Sequence, residues 1–92
     1  MNIENRATKV MLKNMPPTMA EELFELYKIK RPYKEILMAT CVHDLQQYEA
    51  LGVLAMQGIN IGYRTLVRKQ AKALEMFRLS YLYHKDKTSL KF

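Results

Sequence analysis

The sequence predicts an all-α fold, a small bundle of three to four helices with a long C-terminal helix. Two observations lead there. Apolar residues recur at helical spacing through most of the chain, and the three Gly and three Pro fall between the periodic runs, at Pro16-Pro17, Pro32, Gly52, Gly58 and Gly62. A third is negative: the one stretch that reads as a short strand, within 58–62, has no pairing partner. At 92 residues the chain fits a single helical domain over 1–92, with a short tail from about 84 to 92.

Residues 4–13 read as a first helix with Ala7, Val10 and Met11 on one side. After two prolines, Thr18-Met19-Ala20-Glu21 has the spacing of a capping box, in which Thr18 accepts from the Glu21 amide and the Glu21 side chain reaches back. The helix that follows places Met19, Leu23, Leu26 and Tyr27 on one stripe and ends at Arg31, because the residue before a proline avoids helical geometry. Pro32 suits the first turn of a third helix over 33–51, which the apolar residues from Val53 can prolong to Gln57. Leu37, Met38, Cys41, Leu45 and Tyr48 form its core face, and Glu35, His43, Gln46 and Gln47 its polar one.

Residues 58–62 read as a connection, with two glycines and Asn60 tolerant of turns. The last helix, over 63–83, would be about 30 Å long. Tyr63, Leu66, Val67, Gln70, Ala73, Leu74, Phe77 and Tyr81 share one face, and Arg64, Arg68, Lys69 and Lys72 lie opposite, interrupted by Glu75. Towards its end Leu79, Leu82 and Tyr83 leave the main stripe, so that turn is apolar nearly all round and forms a candidate protein interface. From His84 on, the composition reads as a frayed tail.

Charge narrows the partners. Fifteen Lys and Arg against nine Asp and Glu give +6 and a pI near 9.6, favouring nucleic acid, an anionic surface or an acidic protein. Arg64, Arg68 and Lys72 recur at i, i+4, i+8 with Lys69 beside them, as binding to a phosphate backbone would require; a solvated helix face has the same pattern. The segment 54–69, LAMQGINIGYRTLVRK, resembles helix-turn-helix DNA-binding segments over about a sixth of the chain, with a turn about two residues longer. That resemblance implies that Asn60, Tyr63, Arg64, Thr65 and Arg68 lie nearest DNA. An ordinary helix-loop-helix within a bundle accounts for the same residues.

His43-Asp44, in the middle of the third predicted helix, is similar to the phospho-accepting helix of histidine phosphotransfer domains, and that resemblance implies phosphate relay through His43. Otherwise the chain lacks a nucleophile–His–acid motif, a phosphate-binding glycine loop and metal-ligand spacing, so no enzyme, no metal and no cofactor is expected. Cys41, the single cysteine, lies on the predicted core face and points to a reducing intracellular compartment such as the cytoplasm. No export signal or membrane span is read: the longest uncharged stretch, 50–63, is too short and carries three glycines. So small a bundle cannot bury all seven methionines, and a surplus at the surface favours association with another protein.

Two function classes follow. The first is a non-catalytic regulator or adaptor that docks on a partner protein or nucleoprotein complex through its apolar C-terminal turn, self-association included. The second is a DNA- or RNA-binding protein acting through residues 58–72.

Overall fold

The structure, a computed structural model, describes residues 2–89, and the side chains of α5 as far as Lys85. All its regular elements are helical: α1 (Ile3–Lys13), α2 (Pro17–Leu26), α3 (Tyr33–Leu37), which runs on into a π-helical segment (Met38–Val42), α4 (Gln47–Met56) and α5 (Tyr63–Ser89). Five α-helices thus replace the three to four expected. The all-α class holds, and the molecule measures 45 × 25 × 20 Å.

The α3–π rod is the central element. Ile36, Leu37, Ala39, Thr40, Cys41 and Val42 are all buried, because α1, α2, α4 and α5 pack around the rod. Its two sides feed two cores. On one, Leu37, Cys41 and Val42 meet Leu12 of α1, Ala20 and Phe24 of α2, and Ala73, Leu74 and Phe77 of α5. On the other, Ile36 and Ala39 meet Ala50 and Leu54 of α4, Ile59, and Leu66 of α5. Only α5 among the remaining helices contributes to both. Twenty-seven residues at 1.5 Å each make it about 40 Å long.

Where the chain enters the left-handed region, one expected helix divides and another ends early. The helix expected over 33–51 stops after the π segment: the His43 amide donates to the Met38 carbonyl at 2.9 Å, Asp44 takes φ 51°, and the Leu45 amide returns to the Ala39 carbonyl at 3.1 Å. The Thr40 hydroxyl donates to the Ile36 carbonyl at 2.7 Å, giving that acceptor a side-chain partner beside the widened turn. Helix α4 then starts in a new phase, which leaves Tyr48 73% exposed instead of in the core. Helix α2 stops at Leu26, five residues before Arg31. Lys28 takes φ 56°, and the Ile29 amide bonds the Phe24 carbonyl at 2.9 Å while the Ile29 side chain is buried beside Phe24.

Other local expectations shift by a residue or two. Helix α2 begins at Pro17 with Pro16 as N-cap and no side-chain cap, since the prolines pre-set the first turn; Thr18 falls inside the helix and the Thr18–Glu21 box does not form. Ala20 and Phe24 fill its buried stripe, leaving Met19 and Leu26 exposed. In α1 the inward residues are Asn5, Thr8 and Leu12, whereas Ala7 and Val10 face out. Polar groups can lie inward there because they are bonded: Asn5 accepts from Arg78 Nη1 at 2.9 Å, and the Thr8 hydroxyl donates to the Glu4 carbonyl at 2.9 Å.

The C-terminal expectation also changes. Helix α5 continues through Ser89 over residues that read as tail, and residues 90–92 lie outside the described chain. Aromatic packing anchors the extension: Tyr27 stacks on His84 at 4.9 Å and lies 5.4 Å from Phe77, which meets Phe24 edge-on at 5.6 Å.

Candidate nucleic-acid interface on the fifth helix

The approach to α5 is built at the end of α4. Gly58, at φ 83°, is the left-handed residue that closes the helix, its amide bonding the Ala55 carbonyl at 3.0 Å and the Ile59 amide the Leu54 carbonyl at 2.8 Å. Ile59 packs into the core with Leu54 and Leu66, tying turn to both helices. Arg31 reaches across from the segment before α3 and donates to the Gln57 carbonyl at the end of α4. Six residues separate α4 from α5, and the Gly62 carbonyl accepts the first turn's Leu66 amide at 2.9 Å.

From there the periodicity of α5 sorts its side chains. Leu66, Gln70, Ala73, Leu74 and Phe77 are buried, as expected from their shared face. Arg64, Arg68 and Lys72 stand in solvent on the opposite side, spanning about 12 Å of helix axis. Lys69 and Lys72 hold their ammonium groups over the Tyr33 ring, at 5.3 and 5.7 Å from its centroid, so α3 orients the second half of the stripe. Thr65 is half-buried, Tyr63 exposed, and Asn60 exposed on the turn. The structure therefore brings all seven nucleic-acid candidates to the turn and the first three turns of α5.

No described residue forms an ion pair with Arg64, Arg68, Lys69 or Lys72. Ion pairs are made elsewhere, by Lys13 with Asp44 at 3.0 Å, Arg31 with Glu35 at 3.7 Å, Lys34 with Glu25 at 3.6 Å and Arg78 with Glu4 at 3.5 Å. The sequence holds the reason: residues 50–74 contain no Asp or Glu. Val67, expected in the core, is 38% exposed and with Tyr63 flanks Arg64 and Arg68 in a shallow depression.

Comparison of the chain with protein-family models, curated proteins and solved structures finds no match.

The second candidate surface lies at the other end of α5. Leu79, Leu82 and Tyr83 are all exposed, at 56, 46 and 58%, and Leu26 of α2 joins them across a groove that Tyr27 and Lys28 complete. Leu26 shares the spacing of Met19 and Leu23, but the buried stripe of α2 runs one residue on, through Ala20 and Phe24, which leaves Leu26 at the surface. His43 is exposed, but it caps the end of the π segment, so the mid-helix position on which its phosphotransfer resemblance rests is absent. Asp44 beside it is engaged by Lys13. Among the described residues no group of three His, Cys, Asp or Glu side chains could hold a metal, and no helix is long and apolar enough to cross a membrane.

Proposed function

We propose that the protein binds duplex nucleic acid through the outward face of α5, presented by α4 and the 57–62 turn in the manner of a helix-turn-helix. One observation carries this reading: Arg64, Arg68, Lys69 and Lys72 are gathered on one helix face, within a stretch of chain that contains no acid, without an ion-pair partner among the described residues. Like charges brought this close repel one another, and phosphate groups relieve that repulsion while releasing condensed counterions. The shared core of Leu54, Ile59 and Leu66 fixes the two helices relative to each other, so the basic face is presented on a rigid support.

The test is fluorescence anisotropy with labelled duplex DNA at several salt concentrations. Four phosphate contacts give a log–log slope of about −3.6, a loss on the order of a hundredfold between about 50 and 200 mM salt. Combined Arg64→Ala, Arg68→Ala and Lys72→Ala replacement removes most of that slope while far-ultraviolet circular dichroism stays unchanged. A folded triple mutant that binds as well as the parent refutes the assignment.

A second reading is supported by a separate feature, the apolar end of α5. Leu26, Leu79 and Tyr83 line one groove, and Leu82 is exposed on the same helix as Leu79 and Tyr83; apolar surface of this kind is what a non-catalytic regulator uses to dock on a partner protein or on a second copy of itself. Under that reading Leu79→Asp abolishes the association without unfolding the domain, since Leu79 is exposed. Folded Leu79→Asp that associates as the parent does removes this surface from consideration.

A further inference from the structure

The first turns of α5 carry two adjacent rows of side chains. Residues 63–72 repeat an apolar-basic doublet every four positions, Tyr63-Arg64, Val67-Arg68 and Ala71-Lys72, so one row is apolar and its neighbour cationic. The cationic row is the stripe already described. Nothing in the fold accounts for the exposure of the other: Tyr63 is 55% and Val67 38% exposed, and the shallow depression they share with Arg64 and Arg68 is walled by α5 alone. The pattern ends at the exposed Glu75. We propose that this face reads thymine in the major groove of B-form DNA, with Val67 against the C5 methyl of the base and Arg64 and Arg68 on adjoining base edges or phosphates. The inference rests on the duplex-binding reading above and adds to it the base, the groove and the residue that selects the base.

Reach decides between phosphate and base. A phosphate backbone accounts for Arg64, Arg68 and Lys72, whose long side chains hold a strand at a distance from the helix, but it offers nothing to a valine. The Val67 side chain ends one bond beyond Cβ, so whatever covers it comes against the helix itself. A duplex allows that approach in its major groove, which is about 12 Å wide and admits a helix about 10–12 Å across. On the floor of that groove the thymine methyl is the apolar group, set among hydrogen-bond donors and acceptors. Val67 is β-branched, with one strongly preferred rotamer in a helix, and its neighbour Leu66 is locked in the core with Leu54 and Ile59, so its methyls are presented in a fixed position.

The flanking arginines suit the same floor. A guanidinium fork matches phosphate oxygens or the O6 and N7 atoms of guanine, and no described residue forms an ion pair with Arg64 or Arg68. An RNA duplex fits on neither count. Its major groove is too deep and narrow for side chains to read, and uracil lacks the methyl group.

The experiment is fluorescence anisotropy of the full chain with labelled alternating d(A-T) and d(A-U) duplexes of equal length, which differ only in the C5 methyl. Each repeats one base step throughout, so no recognition sequence has to be known beforehand. The expected result is tighter binding of d(A-T), by about fourfold for each methyl covered, the ratio that burying one such group gives. Val67→Asn, a change at the surface, removes that preference and leaves the d(A-U) affinity and the salt slope as they were. Equal, salt-dependent binding of the two duplexes overturns the thymine contact while the duplex-binding reading stands; absence of binding to either overturns both. A preference that survives in folded Val67→Asn overturns the assignment to Val67, and an alternating r(A-U) duplex bound as tightly as d(A-T) overturns the major-groove placement. The d(A-T) and d(A-U) comparison on the unaltered chain decides whether thymine is read even if the variant does not fold.

Discussion

Replacing Gly58 and Gly52 by alanine, one residue at a time, should move stability in opposite directions, although both belong to the same short helix and its cap. Gly58 has φ 83°, and a Cβ built there meets nothing nearer than Arg31 Nη2 at 3.8 Å, an ordinary van der Waals contact. Steric collision therefore contributes nothing, and the cost is conformational. An L-residue in the left-handed region costs about 1–2 kcal/mol, and the lower chain entropy of alanine when unfolded returns about 0.4–1 kcal/mol. The net loss is about 1 kcal/mol. Gly52 lies in the interior of α4 with nothing within 4 Å of a built Cβ, so Gly52→Ala gains helix propensity of up to about 1 kcal/mol. For a domain of this size each kcal/mol moves Tm by about 4–8 °C. Thermal and urea unfolding of both variants, read by far-ultraviolet circular dichroism, measures the two shifts. A neutral or stabilising Gly58→Ala, or two shifts of the same sign, refutes the left-handed stop as the device that turns the chain from α4 towards α5.

Three further substitutions test the rest of the fold. Lys28→Gly relieves an exposed left-handed lysine at φ 56° and raises stability by about 0.5–1 kcal/mol, checked by urea midpoint. Asn5→Ala strips Arg78 of its Oδ1 acceptor and costs about 1–3 kcal/mol, because the Arg78 side chain is only 19% exposed; an unchanged urea midpoint would refute that assignment. Burial pushes the Cys41 thiol above its ordinary value, only partly offset by Thr40 and Gln70, and burial likewise raises the Tyr27 phenol. Both groups hold their protons more tightly when folded, so their stability contribution is complete below their ordinary values and is lost as pH rises through them, from about pH 9 upward. Cys41→Ala flattens the first part of that alkaline decline, and a thiol reagent labels Cys41 of the unaltered protein only at the rate of unfolding; a flat alkaline profile in the unaltered protein would contradict the burial argument.

What was legible in the sequence follows from how long each pattern persists. Helix α5 keeps one period over many turns, so Leu66, Gln70, Ala73, Leu74 and Phe77 were placed correctly from spacing alone. Three helix stops share one construction, a left-handed residue followed by an apolar one that folds back: Lys28-Ile29, Asp44-Leu45 and Gly58-Ile59. Only the last announces itself, because only glycine is free of a Cβ penalty there. The other two rely on Ile29, which is buried, and Leu45, which is half-buried, to hold a strained residue in place, and that compensation is tertiary. Missing the Asp44 stop carried an error of phase into α4 and put Tyr48 in the core.

The candidate sites divide along the same line. The basic stripe was visible because i, i+4, i+8 spacing survives any error in where α5 begins, and the acid-free run 50–74 was there to be read as its electrostatic counterpart. The exposure of Val67 was not, because its spacing fits the buried face and only the packing leaves it at the surface. Equally without a periodic signature are the early stop of α2, the π turn in the rod and the restart of α4 in a new phase. Glu35, expected on a polar face, is half-buried, with one carboxylate oxygen out of water and without a hydrogen-bond partner. The break in helical register at Asp44 is what removes Tyr48 from the core.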